Sequence, residues 1–218
     1  MNYNKLIDHT LLKATATKEE IKKLCEEAIN YDFASVMVNS SYIPYCVELI
    51  GSNDIKVAAV CGFPLGAMAS ELKAAEAAYI INNGGDEVDM VMHIGALKAK
   101  DYEYVLNDIK AVREVTKDHV LKVIIETCLL SDEEIVKACE ICVATKADFV
   151  KTSTGFSTAG ANPRVVKIMS DAVKGAIEVK ASGGVKTIAD LEAMVKAGAT
   201  RIGTSSGVKL MEELKQKA

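Results

Sequence analysis

Residues 148–207 read DFVKTSTGFSTAGANPRVVKIMSDAVKGAIEVKASGGVKTIADLEAMVKAGATRIGTSSG. Three short β-rich runs stand in this stretch, Asp148–Ser153, Glu178–Ser182 and Arg201–Ser205, each flowing into glycine and hydroxyl residues. Between them lie helix signals. Asn162-Pro163 sets a cap residue before a proline at the first helical position, where the missing N–H costs nothing. Thr187 to Asp190 opens a second helix that carries Leu191, Met194 and Val195 on one face and is closed by Gly198. Strand, helix, strand, helix, strand is the signature of parallel pairing, because parallel neighbours need a crossover between them.

The alternation continues toward the amino terminus. Further β-rich runs fall at Leu6–Thr10, Ala34–Asn39, Lys56–Phe63, Glu87–Ile94 and Leu121–Thr127, which brings the count to eight. Most are short, apolar and rich in Val and Ile, as strands covered on both faces should be. Thr17-Lys18-Glu19-Glu20 and Ser131-Asp132-Glu133-Glu134 are capping boxes, each followed by an apolar helical face. A helical segment from Ser70 to Asn83 ends at Gly84-Gly85, and Asp101 caps another that turns Val105, Ile109 and Val112 inward. Eight strand–helix units close naturally into a single-domain α/β fold over residues 1–218, the (β/α)8 or TIM barrel; an open doubly wound sheet is the alternative.

Composition narrows the function classes. Hydrophobic residues make up 50% and charged residues 26% of the 218, an ordinary globular balance. The formal net charge of −4 argues against a nucleic-acid or anionic-membrane surface. No apolar run approaches a membrane span, and Met1-Asn2-Tyr3-Asn4-Lys5 carries no signal-like region, so a soluble cytoplasmic protein is expected. The six cysteines are too sparse for a disulfide scaffold. Cys139-x-x-Cys142 falls mid-helix without a second pair or suitable histidines, and reads as two buried thiols. No H-E-x-x-H, P-loop or G-x-G-x-x-G is present, so neither metal nor nucleotide is implied.

Catalytic groups of a barrel sit at the carboxyl ends of its strands. Lys151 and Lys180 are placed there, each late in a β-rich run with a glycine-bearing turn behind it. Burying an ammonium costs several kcal/mol unless it is paired or deprotonated. Two such lysines side by side lower each other's pKa, which makes one a neutral nucleophilic amine near pH 7. Asp89, flanked by Val88 and Met90, is the strand-interior carboxylate; beside Lys180 it could relay protons, and as a plain partner for a cation it would be structural. Asp86 and Glu87 read as solvated members of the turn before that strand. The turns Ser182-Gly183-Gly184-Val185-Lys186 and Gly203-Thr204-Ser205-Ser206-Gly207 follow runs seven and eight, where barrels often hold phosphate. The second also matches G-x-S-x-G, but a hydrolase needs a histidine after the serine, and the last histidine is His119. His9 and His93 read as strand residues satisfying local hydrogen bonds.

At these residues the sequence resembles the deoxyribose-phosphate aldolase family of class I aldolases. The resemblance rests on Ile7-Asp8-His9-Thr10-Leu11-Leu12-Lys13, Val57–Gly66, Glu87–Leu97, Lys122–Cys128, Lys151-Thr152-Ser153-Thr154-Gly155, Lys180-Ala181-Ser182-Gly183-Gly184 and Arg201–Gly207, in family order along nearly the whole chain. It implies reversible cleavage of 2-deoxy-D-ribose 5-phosphate to D-glyceraldehyde 3-phosphate and acetaldehyde, in deoxyribose phosphate catabolism, without a cofactor. Lys151 would form the Schiff base, Lys180 would keep it neutral, and Asp89 with Lys180 would shuttle protons through a water. Asp8, Thr154, Gly155, Gly183, Gly184, Lys186, Gly203, Ser205 and Ser206 would bind the substrate. The expected partners are a sugar phosphate and aldehydes, with no nucleic acid or membrane, and a homo-oligomer, a dimer, is the expected assembly. Phe156 stands where some members carry lysine, Lys186 where many carry arginine, and His93 where asparagine is common. These differences bear on phosphate affinity and the edge of the site. Another phosphate-binding barrel enzyme and a catalytically silent sugar-phosphate binder are the rival readings.

Overall fold

The computed structural model describes residues 2–217; Met1, the first residue of the amino-terminal segment read above, lies outside them. Eight parallel strands close into a barrel in chain order: β1 (Ile7–Thr10), β2 (Ser35–Val38), β3 (Lys56–Cys61), β4 (Glu87–Val91), β5 (Val120–Ile124), β6 (Phe149–Lys151), β7 (Glu178–Ser182) and β8 (Arg201–Thr204). Closure is made by β8 pairing with β1, Gly203 opposite Asp8. The barrel expected from the unit count is therefore the observed fold, and the open sheet is excluded. No helix among the described residues is long and apolar enough to cross a membrane.

Among the described residues nine helices surround the strands: α1 (Lys18–Asn30), α2 (Ile43–Ile50), α3 (Ser70–Asn82), α4 (Ile94–Lys98), α5 (Tyr102–Val115), α6 (Asp132–Ala144), α7 (Pro163–Val173), α8 (Ile188–Lys196) and α9 (Gly207–Lys217). The capping boxes at Thr17 and Ser131 form in both directions, side chain to backbone and back. Asp101 and Asn162 cap α5 and α7 as their positions require. Thr187 and Asp190 complete a third box on α8. Each satisfies N–H groups that a helix start leaves unpaired, a contribution of about 1 kcal/mol apiece.

Several runs end earlier than their composition suggests. β4 stops at Val91 because His93 leaves the strand and caps α4, its Nδ1 accepting the Ala96 N–H at 3.1 Å. At β1, Leu6 belongs to a 3-10 turn instead. His9 does stay in its strand and faces outward to Glu27 of α1, at 2.7 Å. Cys139 and Cys142 lie in the buried face of α6 with no exposure, and burial pushes the Cys139 thiol up to about 12.

The main core fills the shell between strands and helices, with Val36, Val38, Val88, Met90, Val123, Val150, Val179 and Ile202 pointing out of the barrel into it. Alternation sends the intervening residues inward. On β2 and β3 these include Met37, Ala58 and Val60, packed with Leu12 and Phe63 into a small separate apolar cluster. Around the rest of the barrel the inner face carries the charged residues that build the site, with Val91, Ile124 and Phe149 between them.

Candidate active site

Three lysines from three strands converge on one carboxylate. Asp89 of β4 receives Lys151 (β6) and Lys180 (β7) on Oδ2, each at 2.7 Å, and Lys122 (β5) on Oδ1, also at 2.7 Å. The register explains the meeting: Asp89 stands opposite Lys122, and Lys151 opposite Lys180, so all four side chains share the inner face. Gly203 makes room for them. A Cβ there would lie 3.1 Å from Cε of Lys180 and 2.9 Å from Cβ of Ser182. Asp89 and Lys180 are wholly buried, and Lys151 is 3% exposed.

Beneath this cluster lies a second carboxylate. Asp8 of β1 is enclosed, contacted by Lys180 at Oδ2, and at Oδ1 by Arg201 at 2.8 Å and the Ser35 hydroxyl at 2.7 Å. It lines no part of the cavity described below, so the structure places it under the expected substrate-binding group, as a partner of cations. Glu87 departs further from its reading as solvated. It is 3% exposed, is the first residue of β4, and accepts from Lys122 at 2.5 Å. Inward alternation with Asp89 carries it into the barrel, where only a cation can offset its desolvation.

The charges set one another's protonation. Burial disfavours the anions of Asp89 and Asp8, but the surrounding cations outweigh it and hold both carboxyls below the ordinary carboxylate range. Lys122, buried among Asp89, Glu87 and Asp8, is held above the ordinary lysine range once these outweigh its desolvation. Lys151 goes the other way. Burial, only partly countered by Asp89 and reinforced by Lys180 and Lys122, lowers it to about 8.

A cavity of about 270 Å³ opens at the carboxyl end of the strands. Of the lysines on Asp89, Lys151 alone lines it. The walls include Thr154, Gly155, Gly183, Gly184, Lys186, Gly203, Ser205 and Ser206, all of them anticipated, together with Lys13 and Phe156. Thr204 ties the two glycine-bearing turns together: its hydroxyl donates to the Val185 carbonyl at 2.8 Å and accepts the Ser206 N–H at 3.0 Å. The amino terminus of the eleven-residue α9 starts directly behind Ser206, which puts its dipole at the turn expected to take a phosphate. Phe156 sits at the rim, its ring edge-on to Phe63 at 5.2 Å. His93 is outside the lining, packed on Tyr104.

Lys122 and Glu126 were not singled out from the sequence. Glu126 follows β5 in the left-handed region (φ 53°) and is 2% exposed. It accepts the Thr154 N–H at 3.3 Å and the Thr154 hydroxyl, fixing a cavity-lining side chain. A signal for Lys122 was available, since it stands between Leu121 and Val123 as Asp89 stands between Val88 and Met90. Among the described residues no three His, Cys, Asp or Glu side chains are grouped to hold a metal ion.

Known proteins are similar to this chain in sequence and in fold. The DeoC/LacD family aldolase model matches residues 4–212. The deoxyribose-phosphate aldolase of Finegoldia magna is 58% identical over 196 residues, spanning 90% of this chain and 92% of that protein. That of Lactococcus lactis is 53% identical over 214 residues, 98% of this chain and 97% of its own. The tetrameric deoxyribose phosphate aldolase structure from Aeropyrum pernix superposes with a TM-score of 0.90 at 34% identity, covering 99% of this chain and 92% of the other.

Proposed function

Since this chain belongs to the DeoC/LacD family of aldolases, we propose that it cleaves 2-deoxy-D-ribose 5-phosphate reversibly to D-glyceraldehyde 3-phosphate and acetaldehyde through a Schiff base on Lys151. One observation carries the choice of nucleophile. Three lysines meet Asp89, and the cavity reaches Lys151 alone. With a pKa of about 8, roughly a tenth of Lys151 is neutral at pH 7, against well under a thousandth for an ordinary lysine.

The neutral amine adds to the C1 aldehyde of the open-chain sugar, and loss of water leaves an iminium. That cation draws the electron pair of the C2–C3 bond as the C3 hydroxyl gives up its proton, releasing glyceraldehyde 3-phosphate. The enamine left on Lys151 takes a proton at C2 and is hydrolysed to acetaldehyde. Asp89 and Lys180, buried behind Lys151 and each bonded within this cluster, pass protons to and from these atoms through a water. The turns at Gly183-Gly184 and Ser205-Ser206, with Lys186 and the start of α9, take the phosphate and fix the reach of the sugar. The same reading places the protein in deoxyribose phosphate breakdown in the cytoplasm, as a homo-oligomer.

Borohydride added with acetaldehyde tests the nucleophile. It should inactivate the protein and leave one ethyl group, mapped by peptide mass to Lys151. An adduct mainly on Lys180, or none, overturns the assignment. Cleavage assays across several sugar phosphates separate this substrate from those of another Schiff-base barrel.

A further inference from the structure

The charged side chains of the barrel interior form a closed circuit of alternating sign. Arg201 contacts Asp8 at 2.8 Å, Asp8 contacts Lys180, and Lys180 contacts Asp89 at 2.7 Å. Asp89 contacts Lys122 at 2.7 Å, Lys122 contacts Glu87 at 2.5 Å, and Glu87 returns to Arg201 at 3.4 Å. The three carboxylates and the three cations of the ring cancel. Among the described residues Lys151 is attached to it through Asp89 only, so its proton is the one surplus charge there. In a low-dielectric interior a surplus charge is the first to be given up.

We propose that Arg201 and Glu87 are positioning residues that, by completing this ring, decide whether Lys151 carries a proton, although neither meets the substrate. Each is the first residue of its strand, at the end of the barrel away from the cavity, and neither lines the cavity. Arginine suits the position because it does not deprotonate in proteins, so it cannot compete with Lys151 for the role of neutral amine. It is held there by the face of Phe149, 5.4 Å from the guanidinium carbon. The groups facing Lys151 around the barrel are Asp8 on β1, Glu87 and Asp89 on β4, Lys122 on β5, Lys180 on β7 and Arg201 on β8, with Lys13 and Lys186 in the walls of the cavity it lines. The inward residues of β2 and β3 beside them, Ser35, Met37, Ala58 and Val60, do not titrate in this range.

The inference rests on Lys151 being the Schiff-base residue, and its test is the pH dependence of acetaldehyde–borohydride trapping in the intact protein. Arg201→Gln leaves the ring one negative charge in excess, so Lys151 keeps its proton longer and trapping shifts to alkaline pH. Glu87→Gln leaves one positive charge in excess and shifts trapping to acid pH. Each displacement should be about one pH unit, from a unit charge several ångströms away across protein interior. Arg201→Lys should return the profile most of the way to wild type. The double variant Glu87→Gln/Arg201→Gln, which restores neutrality, should also lie near wild type. Loosened packing would move both single variants the same way and the double variant further still. Shifts of the same sign, coincident profiles, or a displaced double variant overturn the proposal. If a single variant does not fold, the other and the double variant decide it by the same criteria. Absence of any Lys151 adduct in the wild type itself sinks the Schiff-base reading and this inference with it, whereas normal wild-type trapping with unmoved variants sinks this inference alone.

Discussion

The inside of this barrel has two unlike halves. On the β2–β3 side, Met37, Ala58 and Val60 fill the space and Leu12 and Phe63 close it from above, all by contact between apolar surfaces. On the other side, seven charged side chains from β1 and β4 through β8 occupy the same kind of inward position. The alternation that aims them is identical in both halves. What differs is the condition each must meet. An apolar half is stable once it is filled, while a charged half is stable only when every charge is answered. Lys151 sits where that balance is one charge over, and the chemistry proposed for it depends on the excess.

The sharpest way to break the contrast is at Asp89, which meets all three lysines. Asp89→Asn should lower turnover by about 10²–10⁴-fold, since a placed proton-transfer group contributes that much. It should also cost about 3–5 kcal/mol of stability, because three buried cations lose their shared partner. Steady-state cleavage and urea titration of the purified variant read the two effects. Turnover near wild type would reduce Asp89 to a structural residue.

In the apolar half, Met37→Ala should cost about 2–5 kcal/mol through a cavity beside Ala58 and Val60. The pH profile of trapping at Lys151 should stay where it is in the wild type. A shifted profile would show that the two halves are not electrostatically separate.

The smallest expected effect is a linkage between pH and stability. Lys151 is lowered to about 8 in the folded protein, whereas in the unfolded chain it titrates near 10.5. Between those values the unfolded chain binds more protons, so stability from this group rises with pH across the window. Asp8 and Asp89, held below their ordinary range, contribute in the opposite region: their stabilisation is present above about pH 4 and is lost as the pH falls. Melting temperature measured from pH 7.5 to 10.5 should climb less steeply in Lys151→Met than in wild type. Equal slopes would mean that Lys151 is not depressed.

Much of the site was legible before the fold. Lys151, Lys180 and Asp89 stand out because a charged residue inside a Val- and Ile-rich run is anomalous, and the cavity-lining turns stand out because glycine and hydroxyl residues follow strands seven and eight. Glu87 and Lys122 were harder. At the edge of a run, Glu87 has the surroundings of any solvated strand entrance, and among so many surface lysines Lys122 has only its parity to mark it. Asp8 was legible as a member of the site, but its partners Lys180 and Arg201, far off along the chain, were not.

Local physics accounts for what the sequence determined by itself: the eight strands, the capped helices, the inward parity of each strand and two of the lysines. Capping, alternation and turn chemistry act over a few residues, so they can be read from neighbours along the chain. The charge ring was decided by tertiary structure alone. Its members come from five strands as far apart as Asp8 and Arg201, and they meet only because β8 closes on β1 with Gly203 opposite Asp8. The worth of each charge then depends on how many opposite charges surround it out of reach of water, and no stretch of sequence carries that sum.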